Sequence, residues 1–598
     1  MDGGAASGTA TDLDAGDHAV HLVAYHDGKQ VGAAVRAVKL DAGGTASLSV
    51  TPGVDLASGP TQLSARLHDQ PFFLNRTASP VNLVVGSAAA VTVPAHEAIS
   101  VELTTTGQVA FSATPGIKGT ITVDPADANL PAPTVEKLSV ARGYAGHAVT
   151  LEGRGFGALG RVTLGGKPCV VNRWSHLSVA VSLPDDATPG THDLVLETLG
   201  RKSAARPFEV LKNPVVQTPV IAKAFAFVRD NMRSPAGGVY TNYKDVEDPP
   251  TATLVYPNGH HQTAEHTGLL LWVCAALLDH QVYEQTFRFI RDNMVSPRRG
   301  IVNWAVDKKT GKPMLQENVN SNAPLDDFRV VKALFAGYDM WNDRRYLDLA
   351  LRIGRGLYET SVTTDYKAYP NGLVAYGYNW KEEAGMGETD ADPIPIDYSD
   401  LYAIKRLMEH DPRWKSVYDE GVKLLEAAQI AGSGQYWNSL LGTGQFSGDF
   451  EYRSTVAGQK IKTIQSLWIA IHLARAGRTA SARKALDFYR SFYNKQGRIA
   501  EYYNPDGTEP GGTYFAGKLK AGEPRIYGQL VRLALYLGET TFAQRIVKEK
   551  LETDQVPSGA VAGHIGLSVD PTGDANAYNS LESLVALAFA QGAPAVAK

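Results

Sequence analysis

The chain has 598 residues, more than one hydrophobic core usually supports, so we expect several domains. Hydrophobic residues make up 44% of it and charged residues 20%, which is typical of folded protein rather than of a disordered chain. The formal net charge of -4 is nearly neutral for this length and argues against nucleic acid or an anionic membrane surface as a partner.

The two cysteines and the first residues bear on the compartment. Cys169 and Cys274 fall in segments that we assign to different domains, which disfavours a disulfide framework and a cysteine metal site. No apolar run has the length of a membrane span, and residues 1–8 lack a hydrophobic signal core. We expect an extracellular or periplasmic protein whose export signal is not part of these residues. Nothing in the sequence indicates a particular oligomeric state.

The first third of the chain has the pattern of short β-strands. Residues 1–213 are rich in Val, Thr, Ala and Gly, and the run at 45–50 alternates strictly between polar and apolar residues. Gly, Pro and Asp separate such runs, which predicts β-sandwiches with one packed and one solvated face. A proline-rich join at 129–134 divides the region. We therefore predict one β-sandwich domain at residues 1–132 and a second at 133–213.

The second of these segments resembles a known domain family. Its Glu-Gly-Arg-Gly-Phe-Gly run at 152–157 is followed by Val-Thr-Leu-Gly-Gly at 162–166 and by Pro-Gly-Thr-His-Asp-Leu at 189–194. Together these runs resemble the IPT/TIG immunoglobulin-like domain over about residues 133–212. The resemblance implies a sandwich that presents a surface rather than catalytic groups.

From residue 214 the apolar residues follow the helical period in about twelve segments. These segments come in pairs, for example 328–341 with 345–358 and 464–476 with 480–493. Six helical hairpins around an axis would form an (α/α)6 barrel, whereas a solenoid would need a recurrent sequence repeat, which we do not find. The predicted fold is thus multidomain, with N-terminal all-β sandwiches followed by an all-α (α/α)6 barrel at residues 214–598.

Acidic residues stand at the start of two of these helices. Glu265 opens one of them, and Asp326 and Asp327 open another. The helix dipole favours acids in a first turn, so each of the three is alternatively a structural cap. A loop containing Trp304 separates the two helices, and two acidic helix starts beside an aromatic loop favour an acid-catalysis site at the mouth of a barrel.

The same segments resemble a glycosidase family. Residues 263–270, Thr-Ala-Glu-His-Thr-Gly-Leu-Leu, are similar to the Ser-Glu-Gly-x-x-Tyr-Gly-Met segment of glycoside hydrolase family 8 and its exopolysaccharide-hydrolase relatives. Residues 321–327 resemble the aspartate signature of that family, and residues 396–401 resemble the family more weakly. The resemblance implies an endo-acting hydrolase of a β-linked polysaccharide with Glu265 as the general acid. We expect no cofactor.

The chain departs from that family where its second carboxylate is expected. Leu325 replaces the first aspartate of the signature, and residues 458–462, Gly-Gln-Lys-Ile-Lys, stand at the Tyr-Asp-x-x-Arg base motif. Glycoside cleavage normally needs an acid and a second carboxylate. We expect Asp326 or Asp327 in the second role and favour Asp327. Asp449 and Glu451 are the next candidates for the second carboxylate.

Substrate contacts are expected from His266, beside the acid, and from aromatic residues of the long loops. Sugar rings stack on aromatic faces. A single aromatic residue is more often packed in a core or loop, so only the concentration of these residues in long loops favours sugar contact. The candidates are Trp304, Tyr376, Tyr378, Trp380 and Tyr398. His260, His261 and His266 lack the spacing of a zinc-binding helix, and residues 570–574 lack a full calcium loop, so we expect no metal.

Two other functions compete with the hydrolase. A barrel that binds glycans without cleaving them would fit the missing acid at residues 458–462. A polysaccharide lyase would use a tyrosine or histidine to remove the proton next to a uronate carboxyl. Product analysis separates the three, because a binder leaves chain length unchanged and a lyase leaves an ultraviolet-absorbing double bond.

Overall fold

The structure is a computed structural model of the chain. It describes residues 16–26, 29–40, 53–55, 62–66, 72–87, 89–95, 98–101, 103–114, 117–124, 132–157, 159–245, 259–314, 322–375, 394–448, 460–510, 523–566 and 574–594. These residues belong to two compact units, 1–212 and 213–598. The first unit consists of sheets and the second mainly of helices, which confirms the predicted order of a β-rich region followed by a helical one.

Residues 16–124 of the first unit form three sheets. The strands are β1 (Gly16–His26), β2 (Lys29–Leu40), β3 (Gly53–Asp55), β4 (Gln62–Arg66), β5 (Phe72–Leu74), β6 (Val81–Val85), β7 (Val91–Val93), β8 (Ala98–Ser100), β9 (Gly107–Ala113) and β10 (Ile117–Asp124). Their orders are β1-β2, β3-β5-β8 and β4-β10-β9-β6-β7. Phe73 of β5 packs edge-on against Phe111 of β9, with the ring centres 5.3 Å apart. The sheet β3-β5-β8 and the sheet β4-β10-β9-β6-β7 therefore share one hydrophobic core.

Residues 132–212 form a β-sandwich. The strands are β11 (Thr134–Leu138), β12 (Arg142–Gly143), β13 (Ala148–Arg154), β14 (Arg161–Leu164), β15 (Lys167–Pro168), β16 (Val170–Trp174), β17 (Ser178–Ser182), β18 (Gly190–Thr198), β19 (Arg201–Lys202) and β20 (Arg206–Val210). One sheet has the order β11-β13-β17-β16 and the other β12-β20-β18-β14-β15. Alternate residues such as Val149 and Leu151 point inward and meet Leu194 and Leu196 of the opposite sheet. The IPT/TIG resemblance stays a prediction.

Twelve α-helices lie in the described part of the second unit. They are α1 (Pro219–Asn231), α2 (Ala264–Leu277), α3 (His280–Phe289), α4 (Pro324–Trp341), α5 (Arg344–Ser361), α6 (Leu401–Met408), α7 (Trp414–Ala427), α8 (Thr463–Arg475), α9 (Thr479–Gln496), α10 (Pro524–Tyr536), α11 (Thr540–Ile546) and α12 (Ala577–Ala590). A π-helical turn follows α3 (Ile290–Met294) and another follows α11 (Val547–Leu551), and a 3₁₀ turn (Ile396–Tyr398) precedes α6. No helix among the described residues is long and apolar enough to span a membrane.

The helices form two concentric rings. In the inner ring α2, α4, α6, α8, α10 and α12 each pack on the next, and α12 closes the ring on α2. The outer helices α3, α5, α7, α9 and α11 each pack on the inner helix before them, and α1 packs on α12. This is the arrangement of an (α/α)6 barrel. The inner helices α2, α4, α8, α10 and α12 are buried nearly all round, as expected for helices enclosed by a second ring.

Two glycines let inner helices approach closely. A Cβ atom at Gly268 of α2 would lie 3.0 Å from Cγ2 of Val330 on α4. A Cβ atom at Gly528 of α10 would lie 3.0 Å from the carbonyl oxygen of Glu582 on α12. Both positions lie in the first half of their helices, so any larger residue would push neighbouring helices apart near their N-terminal ends.

Short strand ladders tie the loops at one end of the barrel. The strands are β21 (Gln262–Thr263), β22 (Ala305–Val306), β23 (Val362–Thr363), β24 (Leu373–Val374), β25 (Ile394–Pro395), β26 (Ser439–Leu440), β27 (Phe446–Ser447), β28 (Ile461–Lys462) and β29 (Tyr502–Tyr503). The ladders pair β21 with β22, β23 with β24, β25 with β26 and β27, and β28 with β29. β21 runs directly into α2 and β28 into α8. These ladders therefore fix the entries of inner helices.

Candidate active site

Glu265 is the exception in its helix. Every other residue of α2 is buried, whereas the Glu265 side chain is 30% exposed. Thr263 caps the helix by accepting the backbone N–H of His266 on its hydroxyl, which places Glu265 in the first turn. A carboxylate that keeps access to solvent at the start of an otherwise buried helix is available to a ligand.

Arg329 joins Glu265 to three other inner helices. Its Nη1 lies 3.0 Å from Oε1 of Glu265, and the same nitrogen contacts Oδ1 of Asp326. Its Nη2 donates to the hydroxyl of Tyr578 on α12 at 3.3 Å. The guanidinium lies over the ring of Trp468 on α8, 4.7 Å from the ring centre. Residues from α2, α4, α8 and α12 thus meet around one buried cation, and we call this meeting point the mouth of the barrel.

Asp326 lies next to Glu265, on the same Arg329 nitrogen. Only 5% of the residue is exposed, and its carboxylate is paired with Arg329. Burial raises the pKa of Asp326 to about 7, although Arg329 opposes the rise.

Asp327 has a different position from the one predicted for a catalytic group. It is fully buried, its Oδ1 accepts the backbone N–H of Val302 at 2.7 Å, and its Oδ2 accepts the amide of Asn322 at 3.1 Å. Burial raises the pKa of Asp327 to about 8. Both carboxyl oxygens serve to attach loop residues to the start of α4, so Asp327 offers no face to a substrate.

A second arginine also lies close to Tyr578. The Arg525 guanidinium, at the start of α10, lies 5.6 Å from the centre of the Tyr578 ring. Its Nη2 is 3.3 Å from Oε1 of Glu501, and its Nε is 2.7 Å from Oε2 of Glu523. Burial alone would lower the pKa of Arg525, but these two carboxylates raise it, so the guanidinium stays charged. The mouth therefore contains two arginine–carboxylate groups around one tyrosine.

His266 supports the mouth from within the core. The ring is buried, its Nδ1 contacts the hydroxyl of Thr263, and it meets the Tyr578 ring edge-on at 5.9 Å. Burial lowers the pKa of His266, which keeps the ring neutral. We therefore see His266 as a support for Glu265 and Tyr578 rather than as the substrate contact that the sequence predicts.

The structure describes two of the aromatic residues that the sequence predicts as substrate contacts, Trp304 and Tyr398. Trp304 is half-buried, and its carbonyl accepts the N–H of Ala264 at 2.8 Å, so it adjoins the helix that carries Glu265. Tyr398 is half-buried in the 3₁₀ turn before α6. The other predicted residues lie outside the described residues; they are Tyr376, Tyr378, Trp380, Asp449 and Glu451.

Two of the predicted histidines are engaged elsewhere. The ring of His260 stacks on Tyr240 at 4.1 Å, and Nδ1 of His261 lies 3.7 Å from Oδ2 of Asp307. Among the described residues no group of three or more His, Cys, Asp or Glu side chains is arranged to hold a metal ion. Cys169 and Cys274 are both free thiols.

Charged pairs close the floor below the mouth. Lys332 Nζ lies 2.5 Å from Oδ2 of Asp400, and Arg532 Nη1 lies 3.1 Å from Oε2 of Glu582. The ring of Trp272 lies between the two cations, 5.0 Å from Lys332 and 4.8 Å from Arg532. The cavity they line has a volume of about 20 Å³, room for roughly one water molecule. Any larger ligand must therefore bind above this floor.

Sequence reasoning missed most of the residues around Glu265. Arg329, Trp468, Arg525, Tyr578 and Glu501 come from separate helices and loops, and none belongs to a motif with a fixed spacing. Arg329 carried one usable signal, because a charged side chain within an apolar inner helix, three residues after Asp326, needs a buried partner.

Known proteins resemble this chain in fold. No protein-family model matches it, and a comparison with curated proteins finds no significant match. An α-amylase from Clostridium perfringens is 19% identical, with 62% of this chain and 99% of that chain covered and a TM-score of 0.50. Endoglucanase Cel10, a family 8 glycosyl hydrolase from Klebsiella pneumoniae, is 17% identical over 62% of this chain and 99% of its own, with a TM-score of 0.42. PssZ from Listeria monocytogenes is 14% identical over 63% and 97%, with a TM-score of 0.43.

At such low identity these structures bear on the fold alone. The first of them supports the double ring of helices described above. The chemistry has to be argued from the residues of the mouth.

Proposed function

We propose that the barrel is a glycoside hydrolase that cleaves a polysaccharide with Glu265 as its general acid. The observation that carries the proposal is the partly exposed carboxylate of Glu265, the single residue of α2 that is not buried, beside Arg329, Trp468 and Tyr578. A general acid must reach both solvent and the leaving oxygen, and Glu265 meets the first condition by its position.

The other side chains of the mouth fit a sugar ligand. The half-buried Trp468 offers an aromatic face, and the half-buried Arg525 offers donors for hydroxyl groups. The resemblance of residues 263–270 and 321–327 to glycoside hydrolase family 8 favours endo action on a β-linked chain. A polysaccharide substrate also agrees with an extracellular or periplasmic location.

The test is the product pattern on a panel of soluble polysaccharides. The wild-type protein should release new reducing ends from at least one of them. Glu265→Gln should lose about 10²–10⁴ of the rate, as expected when a proton donor is removed. It should lose much less on an aryl glycoside whose leaving group needs no proton. Glu359→Gln, at an exposed position of outer helix α5, is the matched control and should keep the wild-type rate. Equal rates for Glu265→Gln and the control would refute the acid assignment.

A glycan-binding barrel without catalysis is the second candidate. It is favoured by the burial of both aspartates that the sequence offers as second carboxylates. In that case a polysaccharide would bind without any change in chain length. The lyase reading is disfavoured at Tyr578, because burial raises the pKa of this phenol well above its ordinary value and so opposes its use as a base.

A further inference from the structure

A second carboxylate is required on the side of the sugar opposite the acid. Asp326 does not meet this requirement, because its Oδ1 and Oε1 of Glu265 contact the same nitrogen of Arg329. Two oxygens bound to one nitrogen are at most about 6 Å apart. That is less than the roughly 6.5–9.5 Å at which an inverting pair holds a water molecule, so Asp326 stands too close to Glu265 to activate water in an inverting reaction.

Glu501 is held at the mouth by a strand ladder. It directly precedes β29, which pairs with β28 in the register Lys462 to Tyr502. The backbone N–H of Thr463, the first residue of α8, donates to the carbonyl of Glu501 at 2.9 Å. Glu501 therefore lies next to the strand that pairs with Ile461 and Lys462. These two residues end the segment 458–462, where the family resemblance puts a base and this chain has none.

The side chain of Glu501 belongs to the second arginine group of the mouth. Its Oε1 is 3.3 Å from Arg525 Nη2, and Arg525 lies against the ring of Tyr578. Arg329 binds the hydroxyl of the same tyrosine and holds Glu265 with its other nitrogen. Glu265 and Glu501 are thus held by different arginines, and both guanidinium groups lie near Tyr578.

Glu523 is the other carboxylate on Arg525, and its contact is local. It stands at the N-cap position of α10, two residues before Arg525, and meets the Nε atom at 2.7 Å. A pair within one helical turn serves to hold the arginine on its own helix. Glu501 instead reaches Arg525 from a different element, with its side chain 11% exposed.

We propose that Glu501 is the catalytic base of the hydrolysis, an assignment that rests on the proposed function. The Glu501 carboxylate takes a proton from a water molecule as the water oxygen bonds to the anomeric carbon. The bond from that carbon to the glycosidic oxygen breaks, and this oxygen takes the proton of Glu265. The products are a reducing-end sugar and a chain with a free hydroxyl. Exchange with solvent returns the proton from Glu501 to Glu265. The step inverts the anomeric configuration.

The test compares Glu501→Gln with Glu523→Gln in the full chain, on a polysaccharide that the wild type cleaves. Each substitution removes one negative charge that pairs with Arg525. If both carboxylates only held the arginine in place, the two variants should lose equal activity. We expect Glu501→Gln to lose about 10²–10⁴ of kcat and Glu523→Gln to stay within about tenfold of wild type. Circular dichroism and Tm check that both variants are folded. If Glu501→Gln fails to fold, Glu501→Asp replaces it, and the displaced carboxylate should still lower kcat more than Glu523→Gln does.

Sodium azide gives a second readout that structural damage does not produce. In Glu501→Gln azide needs no base, so turnover of an aryl glycoside should recover and yield a glycosyl azide of inverted configuration. Glu523→Gln and Glu265→Gln should yield none. Three results would overturn the base assignment without contradicting the proposed hydrolase function. They are equal losses in the two variants, absence of the azide product, and retained configuration of the wild-type product. A wild-type protein that cleaves no polysaccharide of the panel would overturn both.

Discussion

Arg329 Nη1 lies 3.0 Å from Glu265 Oε1 and also contacts Asp326, so one buried cation sets the positions of two carboxylates at the starts of adjacent inner helices. Charge-assisted hydrogen bonds from a guanidinium fix both distance and direction. Arg329 is therefore a positioning residue in the proposed hydrolase, since it acts through Glu265.

Arg329→Lys keeps the charge and removes the second nitrogen, so it cannot hold Glu265 and Tyr578 together. We expect kcat on a cleaved polysaccharide to fall by about 10- to 100-fold with a smaller change in KM, because the acid loses its orientation. Arg344→Lys, whose partner Asp348 is exposed on α5, is the control and should have wild-type kinetics. A change confined to KM would indicate that Arg329 contacts the substrate instead.

Trp468 offers the aromatic face nearest to Arg329. Trp468→Ala should weaken oligosaccharide binding to the Glu265→Gln variant by up to about tenfold, since an aromatic contact is worth about 0.5–1.5 kcal/mol. Trp468→Phe keeps an aromatic ring and should lose less. Isothermal titration with an oligosaccharide of the cleaved polymer measures both. Equal affinities for the Ala and Phe variants would show that the ring face takes no part in binding.

The sequence predicts the parts of this protein that depend on local patterns. The start of a helix depends on nearby residues. Thr263 caps α2, which places Glu265 in its first turn, and Pro324 begins α4, which places Asp326 in its first turn. The helix pairs are local too, since α4 and α5 cover the predicted segments with starts a few residues earlier. The alternation of Val149 and Leu151 likewise marks a half-buried strand.

The residues of the mouth come from distant parts of the chain, so local sequence patterns could not predict that they meet. Arg329 and Tyr578 are 249 positions apart, yet they share a hydrogen bond. Taken singly, Tyr578 has the pattern of a core aromatic. Asp327 has the pattern of a catalytic acid at a helix start, and only the positions of Val302 and Asn322 reveal that both of its oxygens are occupied.

The buried ion pair of Arg532 and Glu582 below the mouth should contribute to the stability of the folded protein. Glu582 is almost fully buried and accepts hydrogen bonds from Arg532 at 3.1 Å and Gln529 at 2.6 Å. Glu582→Gln leaves a buried arginine without its counter-charge, which costs about 3–5 kcal/mol in comparable cases. The exposed pair of Arg344 and Asp348 supplies the control, and Asp348→Asn should cost at most about 1 kcal/mol. Chemical denaturation measures both, and similar small losses would contradict a closed, charged floor.

The helical unit should act without the sheets. Residues 213–598 form a compact unit with the whole mouth inside it. A fragment of those residues should therefore fold and cleave short oligosaccharides at a rate within about tenfold of the full chain. Circular dichroism checks folding, and reducing-end assays check the rate. A folded but inactive fragment would mean that residues 1–212 complete the substrate site.

Asp327 should make the stability of the barrel depend on pH. Burial raises the pKa of Asp327 in the folded protein to about 8, from an ordinary value of 3.8. Between these values the folded protein holds a proton that the unfolded chain has released, so stability falls as pH rises. The contribution is fully present below about pH 4 and is lost as pH rises through about 8. Asp326, whose pKa burial raises to about 7, acts in the same direction.

Asp327→Asn replaces the titrating group with a neutral amide that can still accept the N–H of Val302. We expect the Tm of wild type to fall relative to that of Asp327→Asn by a few degrees between pH 5 and pH 9, since each unit of pKa elevation corresponds to about 1.4 kcal/mol. The exposed Asp348→Asn should run parallel to wild type over the same range. If the Tm difference between wild type and Asp327→Asn stays constant from pH 5 to pH 9, then Asp327 is ionised throughout, and its hydrogen bonds from Val302 and Asn322 outweigh its burial.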